Sequence, residues 1–335
     1  MRLLSTTRYV RVLLLAGVAS TCLLSLPATH AEHVLNLVVE NDTFTGTDRH
    51  YTSGVMLNYI SGVEDGPRRL RNLGFRFPGM QDNDEMHVSL SLGHEIYTPT
   101  DIKVTALQED DRPYAGYAYL AAGFSTANAT EIETWRMSIG LVGPDAQGER
   151  VQNTVHNLIE EPEAQGWRHQ LDNEWVFTLA YEKKWLNRAW TASERWALEA
   201  DVIPHFGGAV GTAQSYAGVG AMLRLGQGLK KDLGPPKVRP SLPLSQFYDA
   251  SAGNSWYFFA GIDSRFMAHN IFLDGNNFSD SHSVDKEFFV TDLQAGVVWN
   301  NPHFRVGYTY VMRSREFKGQ DERDLFGSLT FSLHF

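Results

Sequence analysis

Cysteine is almost absent from this sequence: Cys22 is the only one in 335 residues, so no disulfide can form within the chain and no second thiol is available for chemistry. After residue 31 no apolar run approaches the ~18 residues that a spanning helix requires. The chain therefore either stays out of a bilayer or crosses one without helices. Cationic residues are in the minority, 29 Lys and Arg against 39 Asp and Glu. A chain of that balance does not suit sequence-independent nucleic-acid binding, which needs clustered cations. There is no G-x-S-x-G elbow, no serine placed with a base and an orienting partner as a triad, and no His pair at zinc spacing.

What is present begins with a leader. Arg2, Arg8 and Arg11 precede an apolar run from Val12 to Leu26, and the small residue Ala31 closes the segment. This is the pattern of a secretory signal peptide over 1–31, cleaved before Glu32. A lipoprotein signal at Cys22 is the rival, but "AST" before it fits poorly. Removing three arginines and no acid takes the formal charge from −10 to −13 and removes Cys22 as well. Residues 32–335 are expected to form a single β-barrel domain.

The remaining chain alternates by twos. In "FRVGYTYVM", Phe304, Val306, Tyr308, Tyr310 and Met312 share one face, with Arg305, Gly307 and Thr309 on the other. "WRMSIGL", "MHVSLSLG" and "WALEADV" behave alike, and such patterning marks half-buried strands. Twelve strands are expected, near 34–41, 51–61, 86–97, 114–125, 131–142, 174–185, 194–206, 213–225, 255–266, 287–300, 302–312 and 325–335. The polar faces carry Arg, Glu, Asp, Gln and many glycines, and aromatics cluster near strand ends. A twelve-stranded antiparallel transmembrane barrel follows, all-β, with lipid outside and a polar interior. A soluble sandwich would alternate too, but the aliphatic faces are too numerous for one soluble core. Trp135, Trp185, Trp190, Trp196, Trp256 and Trp299 read as girdle residues, and "LGPPKVRPSLPLSQ" (233–246) as a Pro-rich surface loop.

One segment breaks the alternation. After Gly143-Pro144, with Asp145 as the expected N-cap, Val151, Val155, Leu158 and Ile159 recur at helical spacing until Pro162. A short amphipathic helix is thus inserted between strands 5 and 6, and Gln152 and His156, four apart, share one of its faces. On spacing alone it is a plug, an interfacial prop or an arm presenting His156.

"ENDTF" (40–44), "DRHYTSGV" (48–55), "EIYTP" (95–99), "DRPYAGYAYL" (111–120) and "GPDAQGERVQNTVHNLI…GWRHQLDNE" (143–174) occur in this order. In them the chain resembles the lipid A 3′-O-deacylase family of Gram-negative outer membranes. The likeness covers most of the first half after the leader; the second half resembles the family only as alternating strands. The resemblance implies an ester hydrolase of the bacterial outer membrane that removes the acyloxyacyl group at the 3′ position of lipid A with Ca²⁺. It implies His156 as general base, with Asn41, Asp42 and Thr52 in the site and Gln152 beside the histidine. Where the family has an acidic residue six positions after the histidine, this chain has Pro162, flanked by Glu161 and Glu163. Either of these is a candidate metal ligand, with Asp42 and Gln152. Lys103, Arg49 and Arg112 are basic candidates for the lipid A phosphates, and "DRPYAGYAYL" is expected to support the helix.

The chemistry agrees with that set. Ester hydrolysis without a serine or cysteine nucleophile points to water activated by a neutral imidazole. A hard cation would suit the oxygens of Asp42, Asn41, Thr52 and a glutamate, and Asn41 could equally hold the oxyanion. The expected partners are lipopolysaccharide, the outer membrane and, through the terminal Phe335, the barrel-assembly machinery. The competing functions are a non-enzymatic porin or adhesin barrel and a serine-dependent outer-membrane phospholipase.

Overall fold

The computed structural model describes residues 33–45, 50–63, 68–80, 85–128, 130–186, 189–229, 232, 234 and 254–335. The leader, Arg49 and nearly all of the Pro-rich loop lie outside the described residues. The strands are β1 (Val34–Asn41), β2 (His50–Ile60), β3 (Glu85–Thr98), β4 (Ala115–Ala127), β5 (Glu131–Val142), β6 (Glu174–Trp185), β7 (Trp190–Ser193), β8 (Leu198–Gly211), β9 (Gln214–Gln227), β10 (Ser255–Asn270), β11 (Phe289–Asn300), β12 (Phe304–Arg313) and β13 (Asp324–His334). All pair antiparallel with their sequence neighbours, except that β6 pairs past β7 with β8 while β13 pairs with β1. Twelve strands thereby close a barrel. The four-residue β7 pairs only with β8; it is an added hairpin, and the seventh expected strand accordingly starts at Leu198 and not at 194.

Alternation sets which side each residue faces. Along β1, Asn36, Val38 and Glu40 are buried inward, while Leu35, Leu37 and Val39 point out. Leu120 (60% exposed), Phe177 (58%) and Val210 (72%) belong to the outward set, a surface that requires lipid. No helix of the described residues is long and apolar enough to span a membrane; the strands are the spanning elements. The tryptophans Trp185, Trp190, Trp196 and Trp299 are exposed at the end of the barrel where β1 starts and β13 finishes, as a girdle requires.

The interior is filled with paired charges. Arg224 bridges Asp201 and Asp232, Arg313 and Arg265 both reach Asp292, and His205 meets Asp263. These guanidinium groups are 1–2% exposed, and burial of that kind is tolerable only with a partner in place. Tyr257 donates to Asp232 in the same network.

Among the described residues three α-helices lie outside the strands: α1 (Arg68–Gly74), α2 (Gly148–Ile159) and α3 (Ile271–Asp274). α2 is the inserted helix between β5 and β6. Asp145 is not its N-cap: Pro144–Ala146 form a 3-10 turn, and Gln147, in the left-handed region at φ 59°, begins the helix without a side-chain cap.

A candidate active site on the outer wall of the barrel

Asn41 ends β1 on its outward side, in phase with Leu35, Leu37 and Val39, and lies opposite Ser53 of β2. Thr52 would face inward by parity with Gly54, Met56 and Asn58. A β-bulge between Tyr51 and Ser53 changes this. Tyr51 stays inward, donating to the carboxylate of Glu40, and Thr52 turns outward, where its hydroxyl lies 2.7 Å from that of Thr98 on β3. Bulges re-aim side chains in this way, often beside sites of chemistry. His50, just before the bulge, holds the left-handed backbone at φ 65°. Its ring is locked between Asp324 and the Thr100 hydroxyl. Sequence reasoning passed over His50; its place before Tyr51-Thr52 in the motif was the available signal. Beside it opens a cavity of about 320 Å³ bordered by Thr100, Asp111, Phe317 and Gln320.

Asp42 follows Asn41 in a 3-10 turn packed on β2 and β13, with 2% of its surface exposed. The Asn41 side-chain oxygen accepts a hydrogen bond from the Thr43 amide at 2.7 Å. A backbone N–H can only donate, so this contact fixes which end of the Asn41 amide is oxygen.

α2 lies against the outside of the same wall, on β3 and β4. Its first residue, Gly148, touches Gly116 of β4 so closely that a Cβ on Gly116 would come within 2.8 Å of the Gly148 nitrogen. His94, outward on β3, donates from Nε2 to the Ala146 carbonyl at 2.8 Å. Behind the helix an apolar cluster of Ile96, Ile102, Tyr114, Ala164 and Trp167 joins it to the β3–β4 connection. "DRPYAGYAYL" thus supports the helix through Tyr114, whose ring packs tilted on Trp167 at 5.0 Å between centroids, and through Gly116.

The buried face of α2 is the polar one: Gly148, Gln152 and His156. Val151, Val155 and Leu158 point away from the protein, 40–54% exposed. The apolar stripe expected from the spacing is real, but it faces outward from the barrel. His156 is 6% exposed, and its Nδ1–H donates to the Pro162 carbonyl at 2.6 Å. The chain reaches that position because Glu160, at φ 63°, turns it back and the Glu161 amide bonds the His156 carbonyl. A carbonyl only accepts, so the proton of a neutral ring sits on Nδ1 and the Nε2 lone pair remains.

The wall groups Asn41, Asp42 and Thr52 thus sit together, and the helix pair Gln152 and His156 stands one strand over. Glu163 is exposed and accepts from Asn157, and Glu161 is half-buried in the reversal. Arg112 is 1% exposed, bridged to Glu316 and stacked on Tyr97. Its guanidinium is thus on the lumen side of the wall, with Tyr97 and Glu316. Lys103 is exposed in the β3–β4 connection beside the inserted segment, to which Ile102 is tied through the Gln165 amide. Among the described residues no group of three or more His, Cys, Asp or Glu is poised to hold a metal.

Comparison with known proteins gives the architecture a family. Residues 12–335 match a family model described as outer membrane protein LpxR. Among solved structures, LpxR from Salmonella typhimurium is similar at TM-score 0.70 and 20% identity, covering 90% of this chain and 100% of that one. The β domain of the Bordetella autotransporter BrkA is similar at TM-score 0.41 and 9% identity, covering 90% and 98%. No curated protein matches the sequence. A model match over nearly the whole length and a shared barrel lead to one conclusion: the chain belongs to the LpxR family of outer-membrane proteins.

Proposed function

We propose that this chain is an outer-membrane lipid A deacylase that hydrolyses the 3′-acyloxyacyl ester with water activated by His156. Family membership supports the enzyme class, its substrate lipid and its membrane. The observation that carries the residue-level reading is the tautomer of His156. With Nδ1–H held by Pro162, Nε2 is free to take a proton from water. The hydroxide adds to the ester carbonyl carbon, and the same Nε2–H then protonates the departing sugar oxygen. The products are a free acyloxyacyl acid and a 3′-hydroxyl. The Asn41 amide, its oxygen fixed by Thr43, turns its NH₂ group to donor duty, which favours the oxyanion role over metal ligation.

The donor chemistry of the wall suits a hard cation: Asp42 is a buried carboxylate on the turn after Asn41, and Thr52 and Thr98 offer neutral oxygens on β2 and β3. Asp42 and Thr52 would hold Ca²⁺, which when bound polarises the ester carbonyl as a Lewis acid. Lys103 is the remaining described candidate for a lipid A phosphate. The β13 end, where Phe335 and His33 exchange backbone hydrogen bonds, is the segment that the assembly machinery would read.

The test is mass spectrometry of lipid A from a lipopolysaccharide-bearing host expressing the chain, beside His156→Ala, with membranes given Ca²⁺ or a chelator. Loss of one acyloxyacyl group, abolished by the substitution and by chelation, is the expected result. Unchanged lipid A both in membranes and in detergent, with the barrel folded by its heat-modifiable mobility, would refute the enzyme.

A further inference from the structure

The buried amide of Gln152 carries an inference that rests on the deacylase reading and sharpens it. Gln152 is 2% exposed and one turn from His156 on the inward face of α2. Its Oε1 accepts from Trp167 Nε1 at 2.8 Å. An indole N–H is a donor only, so the amide cannot be reversed without setting two donors against each other. Trp167 itself cannot turn away: it is 1% exposed, packed against the Tyr114 ring, and a Cβ on Gly148 would come within 2.5 Å of its ring. The amide end is therefore fixed by a rigid neighbour. What remains is Nε2, a buried NH₂ group without a hydrogen-bond partner among the described residues. An unmet buried donor is costly in a structure that has no use for it.

We propose that Gln152 is a catalytic hydrogen-bond donor, giving Nε2–H to the ester carbonyl oxygen as it becomes the oxyanion, and is not a ligand of the cation. A cation needs the oxygen of the amide, and that oxygen is turned to the Trp167 indole, which takes one of its two lone pairs. Neighbours four apart on a helix lie about 5–6 Å apart. One face of α2 thus presents an acceptor, His156 Nε2, for the proton of water and a donor, Gln152 Nε2, for the oxygen on which charge develops. The carbonyl carbon attacked by that water lies between them.

Gln152→Glu separates the two roles, because the carboxylate keeps an acceptor for Trp167 and loses the donor. Full-length protein in detergent would be assayed on lipid A in mixed micelles, with calcium affinity measured by titration calorimetry. The donor role predicts that kcat falls about 10²-fold with KM little changed, and that calcium affinity matches wild type. Gln152→Met, a neutral variant without the donor, should lose kcat to a similar extent. Trp167→Phe, which frees the amide to rotate, should lose less than either, again in kcat. Retained activity in Gln152→Glu, or tighter calcium binding there together with weaker binding in Gln152→Met, would overturn the proposal and return Gln152 to the cation. Loss of heat-modifiable mobility in Gln152→Glu transfers the decision to Gln152→Met. If wild type and His156→Ala both leave lipid A intact in detergent, the deacylase reading fails by itself; calcium affinity lowered by Gln152→Met would sink the donor assignment separately.

Discussion

The inside and the outside of this barrel wall both bury polar groups, by opposite means. Inside, charge answers charge: Arg224 sits between Asp201 and Asp232, and Asp292 holds Arg313 and Arg265. Outside, on the wall and on the inward face of α2, the groups are mostly neutral: half-buried Asn41 and buried Thr52, Thr98, Gln152 and His156. Asn41, Gln152 and His156 are each oriented by a neighbour that can only donate or only accept, as Thr43, Trp167 and Pro162 do, while Thr52 and Thr98 hold one another. Ion pairs in the lumen fix the shape of a wall. Oriented neutral groups fix a direction for proton transfer while leaving a lone pair or an N–H for the substrate.

That contrast can be broken from either side. His156→Ala should give the largest effect, a fall in kcat on lipid A of about 10²–10⁴-fold with thermal stability near wild type, read by deacylation rate and heat-modifiable mobility. Asp292→Ala should do the reverse. It takes the nearest carboxylate from two buried guanidinium groups, leaving only the longer contacts to Asp263 and Glu316, and should cost about 3–5 kcal/mol of stability, seen in urea or thermal unfolding, while kcat of the folded fraction is retained. Gly116→Ala tests the seat of the helix. Its Cβ would meet the Gly148 nitrogen at 2.8 Å, so α2 must lift, and kcat should fall by about tenfold or more while barrel stability is unchanged.

The smallest effect concerns the β10–β11 connection. Burial pushes the Asp274 carboxyl up, but hydrogen bonds from His269, Lys286 and the Asn270 amide outweigh it and hold the carboxyl below its ordinary 3.8. The folded value is lower than the unfolded one. The stabilisation is therefore complete above the unfolded value and is lost as pH falls through the folded value. Proteolysis or hydrogen exchange of 271–288 should show local opening only in that acid range, and Asp274→Asn should remove the pH dependence.

Much of this was legible in the sequence. Period two located the spans 34–41, 131–142 and 174–185 to the residue, because a one-residue error would put a charge into lipid. Strand ends were less legible: β8 runs on to Gly211 and β10 to Asn270, beyond the stretches where alternation carries a signal. β7 was missed because the alternation of Trp196 to Val202 extends smoothly back toward it. The helix and its His156 face were evident from spacing, yet not which face meets protein, since an apolar stripe points inward in water and outward at a barrel wall facing lipid. The bulge at Thr52 depends on β3, and the Gln152 orientation on an indole fifteen residues downstream. Neither partner is marked in the local sequence.

The bulge has a consequence for how such a barrel can change. A β-wall is one residue thick, and its two sides are separate solvents. With Tyr51 inward and Thr52 and Ser53 both outward, one extra residue carries a hydroxyl across that boundary without altering a single side chain. Deleting one residue at 52 or 53 would restore plain alternation and remove an outward position, whereas substitution leaves the backbone count untouched. In a closed barrel, insertions and deletions of one residue are the changes that move chemistry between lumen and membrane.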